Sequence, residues 1–153
     1  MTQPGQTRVP DAIDALVAVF TTAFELEEVT VRDGASVSQA KVMDLLSVGY
    51  TGTEENDVDA QAATEGLGGS PDREQFTIRC AAACLRGSTD LPTVRRRVYE
   101  IFGRAAAAIA EDRTLGGTVM RAMVDSHSLT QDQGEKGSQA VVIFSVMCDS
   151  FTR

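Results

Sequence analysis

Two stretches of the chain place apolar side chains three or four positions apart, the spacing of one face of an α-helix. The first stretch follows Pro10 and predicts a helix over about 10–23. The second has a capping carboxylate at Asp90 and Pro92 in its first turn, and predicts a longer helix over 90–112. The apolar stripe of this longer helix consists of Leu91, Val94, Val98, Ile101, Phe102, Ala105 and Ile109.

Five other segments are β-branched, or alternate between apolar and polar residues, and predict strands. In the third of these segments, the residues on one face are larger and apolar. The residues on the other face are small, which indicates close packing by a helix or a neighbouring subunit. The last segment is apolar on both faces, which is typical of a covered central strand or of a subunit interface. The predicted strands cover 25–33, 41–50, 75–86, 118–129 and 138–151, with a polar turn at 131–137.

This order of elements, α-β-β-loop-β-α-β-β, predicts an α+β fold with a mostly antiparallel sheet of about five strands. We expect a flexible N-terminal arm at 1–9, followed by a single domain over 10–153. Two helices cover only one face of such a sheet. The other face must therefore be wetted or used for an interaction, and its apolar content favours use.

The negative charge of the chain is concentrated in one segment. The 153 residues carry a net charge of −8. Between Thr53 and Gln75 there are seven acidic residues and a single arginine, a net −6, so the remainder is nearly neutral. This composition argues against a nucleic-acid binder that relies on general positive charge. It also predicts a long acidic loop at about 53–74 with no packed core, of the length that marks functional or mobile loops.

No residue of the sequence stands out as a catalytic, cofactor-binding or metal-binding group. The single histidine, His127, follows Ser126, but neighbouring strand residues point to opposite faces and cannot act as base and nucleophile. The three cysteines have no paired spacing typical of a metal site or a disulfide framework. Asp57 and Asp59 resemble part of a calcium loop, yet they lack its glycine and flanking helices. We therefore expect neither an enzyme nor a bound cofactor.

The only basic run is Arg95, Arg96 and Arg97, on the longer predicted helix. Three consecutive residues spread over about 200° of a helix, so they do not form one patch. Arg96 and Arg104 lie four residues from Glu100, which favours ordinary ion pairs on a solvated face. The alternative is that this helix face contacts a partner.

The order of elements, the size and the long loop together resemble the tail terminator (tail completion) family of long-tailed bacteriophages. The resemblance covers about Pro10 to Arg153 and is one of pattern, without a signature motif. Three segments carry it, namely the helix at 10–24, the helix at 90–112 with its Thr-Asp-Leu-Pro start, and the final strand Ala-Val-Val-Ile-Phe-Ser-Val-Met-Cys.

The resemblance implies a structural protein of the virion neck, made in the cytoplasm of a bacterial host. Members form a hexameric ring that caps the tail tube, stops its polymerisation and meets the connector or stopper protein of the head. DNA would pass through without specific binding, because a negative lumen repels its phosphates. The residues implied near the lumen or a partner are Glu54, Glu55, Asp57, Asp59 and Glu65. No membrane contact, cofactor or catalytic residue is implied.

Two alternatives remain open from the sequence. One is another structural protein of the neck or tail, such as a stopper or a tail tube protein. The other is a small α+β ligand-binding domain with an enclosed apolar pocket, which would be monomeric or dimeric and would be stabilised by its ligand.

Overall fold

The computed structural model describes residues 7–34, 43–49, 60–65, 72–87, 90–135 and 137–152. Two helices and six strands lie within these ranges. In chain order they are α1 (Val9–Ala23), β1 (Thr30–Asp33), β2 (Met43–Val48), β3 (Ala60–Glu65), β4 (Arg73–Arg86), α2 (Leu91–Glu111), β5 (Arg121–Gly134) and β6 (Gly137–Phe151).

All six strands belong to one sheet, with the order β1-β2-β4-β6-β5. Only the β1–β2 pair is parallel, and every other pair is antiparallel. β2 pairs with the second half of β4, and β3 pairs with its first half, so these two strands share one edge of β4. The predicted α+β fold with a mostly antiparallel sheet is therefore confirmed.

The predicted acidic loop at 53–74 contains a strand that sequence reasoning missed. β3 lies within that segment and pairs with β4 in register from Ala60 opposite Ile78 to Glu65 opposite Arg73. A short strand beside a long one needs only backbone partners, so the segment's acidic and alanine-rich composition does not prevent pairing. Residues 53–59 and 66–71 of the same segment lie outside the described residues.

Two predicted boundaries are also corrected. The predicted strand at 25–33 begins only at Thr30, because residues 24–28 form a turn that closes α1. The polar turn predicted at 131–137 is shorter, since β5 continues to Gly134 and β6 begins at Gly137. Polar side chains are tolerated at the end of β5 because this strand lies at the edge of the sheet. At Gly137, where φ is +129°, a Cβ atom would collide with the backbone carbonyl of Arg86.

Both helices pack on the same face of the sheet, as the sequence predicts. The stripe of α2 is buried at Val94, Val98, Ile101, Ala105 and Ile109. Asp90 caps the helix by accepting a hydrogen bond from the backbone N–H of Thr93 (3.4 Å). At the centre of the core, the Phe20 ring of α1 meets the Phe144 ring of β6 edge-on at 6.5 Å.

The start of α1 is tied to the sheet rather than free. The backbone N–H of Arg8 donates to the buried carboxylate of Glu74 (2.9 Å), and its guanidinium donates to the carbonyl of Phe151 (3.3 Å). Of the predicted arm at 1–9, residues 7–9 therefore belong to the domain, and residues 1–6 lie outside the described part. Neither helix in the described ranges is both long enough and apolar enough to cross a membrane.

Candidate interaction surface

The two faces of the sheet differ in what covers them. On the helix-covered face, strand residues such as Ile78, Cys80, Val142 and Val146 are fully buried. The residues between them point to the opposite face, over which no described helix packs. We call this second surface the open face. Its apolar side chains on β2, β4, β6 and β5 are Leu45, Ala81, Ala83, Leu85, Val141, Ile143, Met147 and Met123.

The register aligns six of these apolar side chains into adjoining rows that form a belt, whereas Met147 and Met123 are separated from it by the polar row of Arg79, Ser145 and Ser126. Leu45, Ala83 and Val141 lie side by side in one row, and Ala81 lies beside Ile143 in the next. The two alanines on β4 are 7% and 8% exposed, and the larger side chains around them are half-buried. Small residues in the middle and larger ones beside them make an apolar surface of the type that a partner covers.

Two arginines border this belt, and a third lies at the far end of β4 on the same face. Arg32 of β1 is in the row of Ala81, and Arg79 and Arg73 continue the open face along β4. The Arg73 guanidinium donates to the Asp149 carboxylate (3.3 Å), which also accepts from the amide of Gln75 (2.9 Å). The Nε atoms of Arg32 and Arg73 are buried without a hydrogen-bond partner among the described residues. An unmade hydrogen bond of this kind costs about 1–3 kcal/mol.

The three consecutive arginines of α2 have three different environments. Arg95 donates to the side-chain amide of Gln131 on β5 (3.0 Å), and Arg97 donates to Asp44 (2.8 Å) and Glu100 (3.1 Å). Arg96 is exposed and lines a cavity of about 380 Å³ at the start of α2. The sequence-based pairing is thus wrong in detail. Glu100 pairs with Arg97, whereas Arg104 lies 3.7 Å from Glu27 and donates to the carbonyl of Ala23.

One well-connected charge among the described residues, Asp44, was not identified from the sequence. Its carboxylate is 9% exposed and accepts from Arg86 (2.7 Å) and Arg97 (2.8 Å), so it joins β2, β4 and α2. Burial alone would raise its pKa, but the two guanidinium hydrogen bonds outweigh burial and lower the pKa below its ordinary value. Burial, with the nearby Asp44 charge, raises the pKa of the Cys84 thiol to about 11. This cluster is structural in character, because each charge already has a partner.

The acidic residues that the resemblance places near a lumen are only partly accounted for. Glu54, Glu55, Asp57 and Asp59 lie outside the described residues. Glu65 ends β3, with its Cα opposite that of Arg73. The structure therefore brings Glu65 to the edge of β4, and it does not test the other four residues.

His127 and Ser126 point to opposite faces, as expected for neighbours in a strand. His127 is on the helix-covered side, with its ring 4.8 Å from Phe102 and 5.7 Å from Tyr99, and Ser126 lies opposite Ser145 on the open face. The three cysteines are buried and form no disulfide, and burial raises the pKa of Cys148 to about 12. Within the described ranges, no group of three potential metal ligands converges.

Comparison with known proteins does not assign this chain to a family. No protein-family model matches it, and no curated protein matches it significantly.

Proposed function

We propose that this chain is a structural protein that assembles into a ring and acts as a phage tail terminator. In this role, the ring caps the tail tube, stops its polymerisation and presents a surface to the head connector. The observation that carries the proposal is the open face, an apolar belt bordered by Arg32 and Arg79, opposite the face that the helices cover. The resemblance in element order to the tail terminator family supplies the biological context.

The proposed ring requires the open face to make a head-to-tail contact. The helices lie on the other side of the sheet. Two copies that used the same surface for this contact would therefore have to meet open face to open face. A neighbour that covers the open face with a different surface forms a heterologous contact, and such contacts close into rings when the rotation between copies permits. Covering a half-buried apolar side chain stabilises the contact by about 25 cal/mol per Å² of apolar surface that is removed from water.

The first experiment compares assemblies of the purified full chain. Mass photometry and negative-stain imaging are applied to the wild type, to Ile143→Arg on the open face, and to Ala107→Arg on the exposed side of α2. We expect rings for the wild type and Ala107→Arg, and none for Ile143→Arg, because a guanidinium in the apolar belt is costly to cover. Rings formed by folded Ile143→Arg, or a persistent wild-type monomer at the highest soluble concentration, would contradict the proposal.

The same images distinguish the alternatives. Long filaments would identify a tail tube protein, since a terminator stops at a ring. A monomer or dimer whose melting temperature rises with a small apolar ligand would instead support the ligand-binding domain.

The acidic segment is tested separately in an infectious particle. Neutralising Glu54, Glu55, Asp57 and Asp59 together is expected to leave folding intact and to disturb assembly or DNA ejection. Unchanged virion yield and infectivity would argue against a role for this segment at the lumen.

A further inference from the structure

The outer strand of the sheet, β5, offers a long free edge. β5 pairs with β6 over its whole length, and no described strand pairs with its other side. Most of its residues from Asp125 onwards are exposed. An edge of this kind presents unpaired backbone N–H and C=O groups, which are a template for another strand.

This edge lacks most of the usual protection against pairing. Natural edge strands are short, or carry lysines, prolines or inward charges. From Ser126 to Gly134 the strand has no lysine and no proline, and Asp132 is its only formal charge. Its one irregularity is the bulge at Asp125, where the register with β6 shifts between Val124 and Ser126.

Other parts of the molecule limit the free edge at both ends. At the beginning, the backbone N–H of Ala122 donates to the carbonyl of Arg113 (2.6 Å), so the segment after α2 occupies that position. At the far end, β5 stops at Gly134 and turns at Glu135. Between these two ends, the edge that remains available includes Ser126 to Asp132, beyond the bulge at Asp125.

We propose that β5 pairs antiparallel with β5 of a second copy of this chain, around a two-fold axis at Leu129. An antiparallel pairing centred on Leu129 uses the whole free edge. It places Ser128 opposite Thr130 of the second copy, and Ser126 opposite Asp132. Every opposed pair then lies on the same face of the sheet, as strand geometry requires, because Ser126, Ser128, Thr130 and Asp132 all lie on the open face.

Charge complementarity favours this partner and this direction. The beginning of the free edge carries the exposed Arg113 and Arg121 and one exposed acid, Asp125, a net +1, whereas its far end carries the exposed Asp132 and Glu135, a net −2 among the described residues. In the antiparallel pairing, the Glu135 turn of one copy meets the Arg113 segment of the other, twice per dimer. A parallel pairing would instead bring Asp132 and Glu135 beside their own copies, and like charges directly opposite each other are destabilising.

This contact is independent of the proposed ring. It extends the sheet sideways, so the open face of each copy stays available. An isologous contact closes with two copies, whereas a ring needs a heterologous one, and a ring that also used β5 would contain twice the subunits of a single ring.

Disulfide trapping tests the register directly. The three native cysteines are buried, so cysteines introduced on exposed β5 positions report only this contact. We mix Ser128→Cys with Thr130→Cys under mild oxidation and separate the three linked products by intact mass. The mixed product, which joins one copy of each variant, should dominate, because directly opposed residues have the Cα spacing that a disulfide needs. Ser126→Cys alone is the control, since its two copies would lie about 20 Å apart. Absence of linked product, or equal linking in the mixture and the control, would overturn the proposal.

A pair of charge variants tests whether the dimer forms without a cross-link. In Ser128→Lys/Thr130→Lys, lysines oppose lysines twice per dimer, and we expect dimer affinity to fall about tenfold in sedimentation experiments. In the matched Ser128→Lys/Thr130→Glu variant each lysine opposes a glutamate, and the dimer should persist. Thermal melting checks that both variants fold. Equal affinities for the two folded variants, or a wild type that stays monomeric, would contradict β5 pairing, whereas loss of the ring in Ile143→Arg would leave it untouched.

Discussion

The two faces of the central strands differ although the same backbone carries both. On β6, Val142 and Phe144 are buried beneath the helices, whereas their neighbours Val141 and Ile143 are equally apolar but only half-buried. The difference arises from what lies above each face and not from the residues themselves. Apolar character therefore indicates where burial is favourable, and the packing of α1 and α2 decides which face receives it within the chain.

The largest expected effect is at the centre of the covered face. Phe144 touches Phe20 and Phe102 (ring centroids 6.5 and 5.1 Å apart), and Phe144→Ala removes these contacts and leaves a cavity. We expect the free energy of unfolding to fall by about 3–5 kcal/mol in urea denaturation. Met147→Ala on the open face is the control and should cost clearly less. Similar losses for the two variants would show that the open face is as tightly packed as the covered one.

An isosteric pair of substitutions compares the faces more sharply. Val142→Thr introduces a hydroxyl into the covered core and should cost about 1–3 kcal/mol of unfolding free energy. Val141→Thr makes the same change one residue away on the open face, where we expect an effect within about 0.5 kcal/mol. Denaturant unfolding of the monomeric proteins measures both. The comparison fails if Val141→Thr is the more destabilising variant.

The Asp44 cluster extends the comparison to charge, because it is a polar group on the covered side. Asp44→Asn weakens two guanidinium hydrogen bonds and should lower the unfolding free energy by about 2 kcal/mol at neutral pH. The folded-state pKa of Asp44 is lowered, so its stabilisation is present above the unfolded-state pKa, near 3.8, and is lost as pH falls through the folded-state pKa. Asp44→Asn should therefore flatten the decline of stability below about pH 4. An unchanged acid dependence would contradict this role.

The smallest effects are expected on α2, where neighbouring arginines differ in their contacts. Arg97→Ala loses the bonds to Asp44 and Glu100, and should lower the melting temperature by a few degrees, equivalent to about 1 kcal/mol. Arg96→Ala removes an exposed side chain and should leave the melting temperature nearly unchanged. The reverse order would mean that the Arg97 pairs contribute little to folding.

Sequence reasoning predicted the periodic elements well because their patterns reflect burial directly. The stripe of α2 and the alternation along β4 and β6 match the observed burial closely. It missed β3, whose composition is not that of a buried strand, and it ended β5 too early for the same reason. At an edge, backbone pairing forms without an apolar signal, so hydrophobic periodicity cannot detect it.

The candidate surfaces also differ in how far the sequence could predict them. An uncovered apolar sheet face was expected from counting two helices against about five strands. The Asp44 cluster was not expected, because Asp44, Arg86 and Arg97 are far apart in the sequence and meet only when β2 lies beside β4 and beneath α2. β5 has a free edge because it is the last strand in the order of the sheet. The alternation of residues along one strand does not encode that order.

By itself the sequence determined the two helices, most of the strands, the α+β class and the concentration of negative charge between 53 and 75. These properties follow from local periodicity and composition. Only the tertiary structure decided which face of the sheet the helices cover, that β3 continues the sheet beside β4, and that β5 is an outer strand. The physical reason is that coverage and strand order depend on contacts between distant segments, whereas periodicity records only that a side chain will be buried somewhere.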